Sequence, residues 1–150
     1  MGNEHIPTCD LPPTVPHATN VRWAGSKGSI EEMPISSFED LEVWQWAHRL
    51  ALPVYGITDG LPPSQKYGLV SQMQRAAVSV PANIAEGFKR LSGAEKIRFY
   101  NIAQGSLEEL RYYFILCRDL GYKVPFEPLN TDAQRVGRML TGLIKSIGRR

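Results

Sequence analysis

At 150 residues the chain is long enough for one domain with a real core, and 43% hydrophobic with 21% charged residues is an ordinary globular balance. No apolar run approaches the ~18 residues of a membrane span, and the N-terminus lacks both a basic-then-apolar signal pattern and, at Ile6, the Ser/Thr of a myristoylation signal. The net charge is only +2 but uneven: residues 1–37 carry −2, leaving +4 for the rest, a bias that permits a nucleic-acid partner without demanding one.

Residues 1–36 read as a disordered tail, punctuated by Pro7, Pro12, Pro13, Pro16 and Pro34 and without periodicity. Trp23 is its one large aromatic, and Met33, just before the first periodic segment, is the expected true start of translation. Cys9 lies in this tail and Cys117 on a predicted core face, so a buried free thiol is expected at Cys117, and with it a reducing, cytoplasmic setting.

Residues 37–150 predict an all-α, up-down-up-down four-helix bundle. The first helix is expected from Phe38 to Thr58, with Leu41, Trp44, His48, Ala51, Tyr55 and Thr58 inward, Pro53 bending its last turn, and Asp59-Gly60-Leu61-Pro62-Pro63 as its stop. Ser64 is the expected cap of a second helix from Gln65 to Arg90, whose inner face carries Leu69, Met73, Ala76, Val80, Asn83 and Gly87. Pro81 sits inside that pattern without an N–H and crowds the Ala77 carbonyl, so a kink is expected there, beside a buried amide at Asn83.

A capping box, Ser92-x-x-Glu95, opens the third helix, whose seam runs Phe99, Ala103, Ser106, Leu110, Tyr113, Cys117 and Leu120, with Gly121 as the terminal cap. Ile102, Tyr112, Phe114, Ile115 and Leu116 lie off that line, as Trp46 does on the first helix. The surplus apolar surface predicts self-association. Thr131 is the expected cap of the fourth helix, with Val136, Leu140, Leu143 and Ile147 inward. No segment alternates with period two, so strands are not expected.

Catalytic patterns are missing. No Glu-x-x-His pair, Cys-x-x-Cys, phosphate loop or Gly-x-Ser-x-Gly elbow occurs, and His48 reads as a locally bonded seam histidine, so neither metal, cofactor nor enzymatic activity is expected. Gly105-Ser106 reads as close helix packing, Ser106 as a partner for the Ala77 carbonyl, and Glu86 as an i,i+4 partner of Arg90. Small-molecule or metal binding would need Ser79, Asn83, Glu86 and Ser106 to line a pocket.

The remaining chemistry is basic. Arg75, Lys89, Arg90, Lys96 and Arg98 follow the second helix and its turn, while Arg135, Arg138, Lys145, Arg149 and Arg150 dominate the fourth. A charged helix face is commonly just solvated; repeated around an oligomer it becomes a phosphate-binding field. The aromatics follow the apolar seams, so nucleic-acid contact is expected to be backbone-directed rather than by base stacking.

Three blocks carry a family resemblance: Phe38-x-Asp40-Leu41-x-Val43-Trp44-Gln45-x-Ala47; Tyr67-Gly68-Leu69-x-x-Gln72-x-x-Arg75-Ala76-Ala77-x-Ser79-Val80-Pro81-Ala82-Asn83-Ile84-Ala85-Glu86-Gly87; and Ala103-x-Gly105-Ser106-Leu107-x-Glu109-Leu110. From Phe38 to Ile147 the chain resembles the four-helix-bundle proteins related to the 23S rRNA intervening-sequence-encoded protein; Pro53 is a departure. The resemblance implies a bacterial, cytosolic homopentamer without assigned enzymatic activity. The fold is also similar to the accessory protein of diversity-generating retroelements, a basic pentamer that works with a reverse transcriptase, which implies RNA, DNA or a nucleic-acid enzyme as partner. A protein-interaction module without nucleic-acid affinity is the alternative.

Overall fold

The structure is a computed structural model and describes residues 21–22, 31–32 and 34–149. The chain divides into two units, residues 1–35 and 36–150. In the first, β1 (Val21–Arg22) pairs antiparallel with β2 (Glu31–Glu32), Val21 opposite Glu32. This ladder was not expected; two residues are too few to leave a period-two pattern. The predicted disorder of the tail, Cys9, Trp23, Met33 and the terminal Arg150 lie outside the described residues.

The second unit opens on a 3-10 turn, Phe38–Asp40. Ser37 Oγ accepts from the Glu39 N–H at 3.3 Å, while the Asp40 carboxylate accepts from the N–H groups of Ser36 and Ser37 at 3.0 and 2.9 Å. Those donors hold the Asp40 carboxyl below its ordinary pKa. The turn separates Phe38 from α1 (Glu42–Asp59), so the first helix starts later than its periodicity predicts. A second 3-10 turn, Pro63–Gln65, and a π turn, Lys66–Val70, lead into α2 (Ser71–Lys89). Ser64 therefore sits inside a turn and does not cap α2. Both α1 and α2 run unbroken through their prolines, Pro53 and Pro81.

At the start of α3 (Gly93–Asp119) Ser92 Oγ accepts from the Glu95 N–H at 3.2 Å, the serine half of the predicted capping box; the return bond to the Glu95 carboxylate is not formed among the described residues. Its end is set by Gly121, whose φ of 78° suits a residue without Cβ and lets the Tyr122 N–H reach the Cys117 carbonyl at 2.9 Å. The fourth helix, α4 (Phe126–Gly148), starts before Thr131, which is an interior residue and not a cap. Pro128 falls in its first turn, where no N–H is needed.

Among the described residues these four helices form one bundle. Met73–Cys117, Ser79–Ser106 and Gly87–Tyr100 contacts run in opposite chain directions on α2 and α3, as do Arg111–Asn130, Gln104–Thr141 and Gly93–Ile147 on α3 and α4. Each of those pairs is therefore antiparallel. The Gln74 Nε2 bond to Thr58 Oγ1, 2.9 Å, ties α1 to α2, and the Arg135 guanidinium over Trp46, 4.1 Å, ties α4 to α1.

The core corrects the predicted seams of α1 and α3 by about one residue, while the predicted face of α2 is buried at Leu69, Met73, Ala76, Val80 and Gly87. On α1 the buried side chains are Val43, Ala47, Leu50, Ala51, Val54 and Thr58, whereas Tyr55 and His48 are exposed and Trp44 is half-buried. His48 is no seam histidine: it stacks on Trp44, centroids 5.1 Å apart and nearly parallel. On α3 the buried line is Tyr100, Ala103, Leu107, Leu110, Phe114 and Cys117, with Phe99, Ser106 and Tyr113 at its margin and Leu120 outside. Phe114 is core rather than surplus. On α4, Val136 and Leu140 are buried as expected, Leu143 and Ile147 half-buried. Cys117 is a buried free thiol, its Sγ 3.6 Å from Met73 Sδ, and burial pushes its pKa up.

Candidate functional site

The Ser79–Gly87 block lies on the face of α2 that meets α3. Ser79 and Ser106 share a 2.8 Å hydrogen bond across the two helices, and Asn83 Nδ2 donates to both the carbonyl (2.8 Å) and the hydroxyl (3.0 Å) of Ser79. Ser106 therefore pairs with Ser79 and not with the Ala77 carbonyl that Pro81 leaves without its helical donor. Asn83 is half-buried and bonds within its own helix; register between α2 and α3 is marked by the serine pair instead. Because Ser79 keeps its Asn83 donor, Ser106→Ala is expected to cost about 1 kcal/mol in urea unfolding, and a neutral result would exclude a stabilising role for the serine pair.

Close approach is made by Gly87, not by Gly105. A Cβ on Gly87 would lie 2.7 Å from Tyr100 Cε1, whereas one on Gly105 would meet nothing within 4 Å. Glu86 turns to Arg90 at 2.6 Å, the predicted i,i+4 pair, so Ser79, Asn83, Glu86 and Ser106 do not converge on a common ligand.

The basic residues separate into three groups. The contact between the start of α3 and the end of α4 brings Lys89, Arg90, Lys96, Arg98, Lys145 and Arg149 to one end of the bundle. Two of them are engaged there: Arg90 pairs with Glu86 and lies 4.4 Å over the Phe99 ring, and Lys96 Nζ donates to the Phe88 carbonyl at 2.6 Å, closing the end of α2. Lys89, Arg98, Lys145 and Arg149 are exposed and enter no ion pair among the described residues.

Arg135 and Arg138 lie on α4, Arg138 in a shallow groove against α3 with Gln104, Glu108 and Arg111. Arg75 stands alone, fifteen residues before Arg90 on the same helix, a separation of about 22 Å. Thus the predicted cluster of Arg75 with Lys89 and Arg90 is not one patch.

Aromatic rings and cations do interleave in space, contrary to the sequence expectation. Trp46 has Arg49 and Arg135 over its ring, Phe99 has Arg90 and Arg98, and Lys66 lies 5.5 Å from the Tyr67 centroid. Arg135 and Arg90 reach these rings across helices, which helical periodicity does not display, whereas Arg49 and Arg98 are local neighbours in the chain.

Sequence reasoning missed a groove of about 920 Å³ between the end of α1, the π turn and the first half of α2. Tyr55, Lys66, Tyr67 and Arg75 line it.

Near Arg75, the Glu109 carboxylate accepts from the Tyr113 hydroxyl at 2.7 Å and pushes that phenol up to about 12. A raised phenol pKa means the bond's stabilisation is intact below about pH 10 and lost as pH rises towards about 12. The stability difference between the wild type and Tyr113→Phe should therefore shrink across that window; an ultraviolet titration in which every phenol ionises near 10 would refute the bond.

Among the described residues no group of three His, Cys, Asp or Glu side chains could hold a metal ion, and no helix is long and apolar enough to cross a membrane.

A search of curated proteins finds no match. Among solved structures, the chain is similar to a protein of unknown function from the S23 ribosomal protein family of Bacteroides thetaiotaomicron, at 26% identity and a TM-score of 0.63, covering 69% of this chain and 95% of that one. A model of the 23S rRNA-intervening sequence protein family matches residues 39–142, which hold all three sequence blocks from Glu39 onward. With the helical core lying in that span, the chain belongs to the 23S rRNA-intervening sequence protein family.

Proposed function

We propose that this chain is a non-catalytic, cytoplasmic scaffold subunit, assembling as a homopentamer and holding the phosphate backbone of RNA or DNA, or a nucleic-acid enzyme, with weak sequence preference. The observation that carries the reading is the exposed set Lys89, Arg98, Lys145 and Arg149, gathered at one end of the bundle and in no ion pair among the described residues. Cations at the ends of α2 and α4 also complement the helix dipoles. Repeated around a ring, that end becomes a shared positive field. Assembly is supported by the exposed Leu52, Ile102 and Tyr112 on α1 and α3, each 42% or more exposed.

Fluorescence anisotropy with RNA and DNA at several salt concentrations tests the phosphate contact, and light scattering tests the ring. Binding that weakens linearly in log K against log salt is expected. No binding at low salt, or salt-independent binding, refutes it. The same exposed apolar side chains favour a second reading, a protein-interaction module without nucleic-acid affinity. A single partner retained in a pull-down after nuclease treatment would select that reading.

A further inference from the structure

The groove at the other end of the bundle has a chemistry that the basic end lacks. Tyr67 is 90% exposed and Tyr55 45% exposed, and both line the cleft. The π turn Lys66–Val70 buries Leu69 while leaving Lys66 and Tyr67 outside, and such turns recur at functional sites. Two cations, Lys66 and Arg75, line the groove against one acid, Asp59. Neither cation enters an ion pair among the described residues. The wall behind Tyr55 is preset: Thr58 Oγ1 donates to the Tyr55 carbonyl at 2.9 Å and accepts from Gln74 Nε2 at 2.9 Å.

We infer that this groove takes a segment of single-stranded nucleic acid, with a base stacked on Tyr67 and phosphates held by Lys66 and Arg75. The inference rests on the nucleic-acid reading above and adds base contact to it. An open aromatic face beside cations is what a sequence-tolerant strand site requires, because every base has a π face and every linkage a negative charge. A duplex cannot use it, since its bases are stacked on each other. The volume, about 920 Å³, falls within the ~300–1,000 Å³ range of ligand clefts. The positive balance of the lining favours this occupant over an apolar peptide or a second copy.

The test is anisotropy of labelled oligouridylate on the full chain, compared with a duplex of the same length. Tyr67→Ala is expected to weaken single-strand binding about tenfold with an unchanged salt slope, and Tyr67→Phe to keep it within about twofold. Lys66→Ala with Arg75→Ala should lower the slope of log K against log salt by about 1.4, the value for two phosphates on a single strand. Tyr67 is surface-exposed, so these variants fold.

If the wild type binds and Tyr67→Ala binds within about twofold of it, this site is wrong while the basic end stands. A duplex bound as tightly as the single strand also overturns it. A Tyr67→Ala variant that changes the assembly mass but not the affinity would show that a second copy fills the groove, again against the inference. Absence of all binding at low salt overturns both this site and the reading it rests on.

Discussion

Phe114→Ala is expected to remove about 3–5 kcal/mol of stability, the range for deleting a buried aromatic ring and leaving the cavity behind. Phe114 is the largest of the side chains that are fully buried, at 0% exposure. A domain of this kind has about 5–15 kcal/mol in total, so the variant should lose a large fraction of its urea midpoint. The same substitution at Tyr112, two residues earlier and 56% exposed, should change unfolding of the subunit by about 0.5 kcal/mol or less. These neighbours discriminate between two registers of α3. If the seam ran through Phe99, Ser106 and Tyr113, Phe114→Ala would be mild and Phe99→Ala severe. Urea titrations of Phe114→Ala, Phe99→Ala and Tyr112→Ala, read for midpoint and slope together, distinguish the two; a Phe99→Ala cost above that of Phe114→Ala refutes the packing described.

That ambiguity explains how far the sequence was legible. Four helices, the Ser92 cap, the Gly121 stop and the Glu86–Arg90 pair follow from local chemistry, and local chemistry is what a sequence displays. The facing of α3 does not, because two lines with the same three-four spacing share Ala103, Leu110 and Cys117. Large aromatics point to the wrong line: Trp44 and Tyr113 have rings to bury and polar or edge groups to satisfy, and they settle at the margin of the core, while Tyr55 lies outside it. Small residues such as Ala47 and Ala103 take the interior. The groove at Tyr55 and Tyr67 was not legible at all. It needs a π turn, which has no periodic signature, to bring residues twelve apart in the chain onto one cleft.

Gly87→Val is expected to destabilise the bundle by about 3 kcal/mol, although valine is a better helix former than glycine by a few tenths. The reason lies across the interface. A Cβ at position 87 would stand 2.7 and 3.0 Å from Cε1 and Cδ1 of Tyr100, and 3.1 Å from Phe99 Cβ. Tyr100 is 2% exposed, so its ring has no free space to swing into, and Phe99 Cβ is anchored to the α3 backbone. The new atoms must push α2 and α3 apart beside their shared turn, where Lys96 closes the end of α2 and Phe99 lies under Arg90. Gly105→Ala provides the opposite sign. Its Cβ meets nothing within 4 Å, and the position is exposed, so that variant should gain about 0.5–1 kcal/mol from reduced backbone entropy of the unfolded chain. Thermal unfolding of the two variants side by side is the measurement. Gly105→Ala raising the midpoint while Gly87→Val lowers it places the tight helix contact at the glycine that ends the Asn-Ile-Ala-Glu-Gly block; a Gly87→Val protein as stable as the wild type would mean that α2 and α3 are not in this contact. The Asn-Ile-Ala-Glu-Gly block then has a physical reason for its last residue: only a hydrogen atom fits between α2 and the Tyr100 ring.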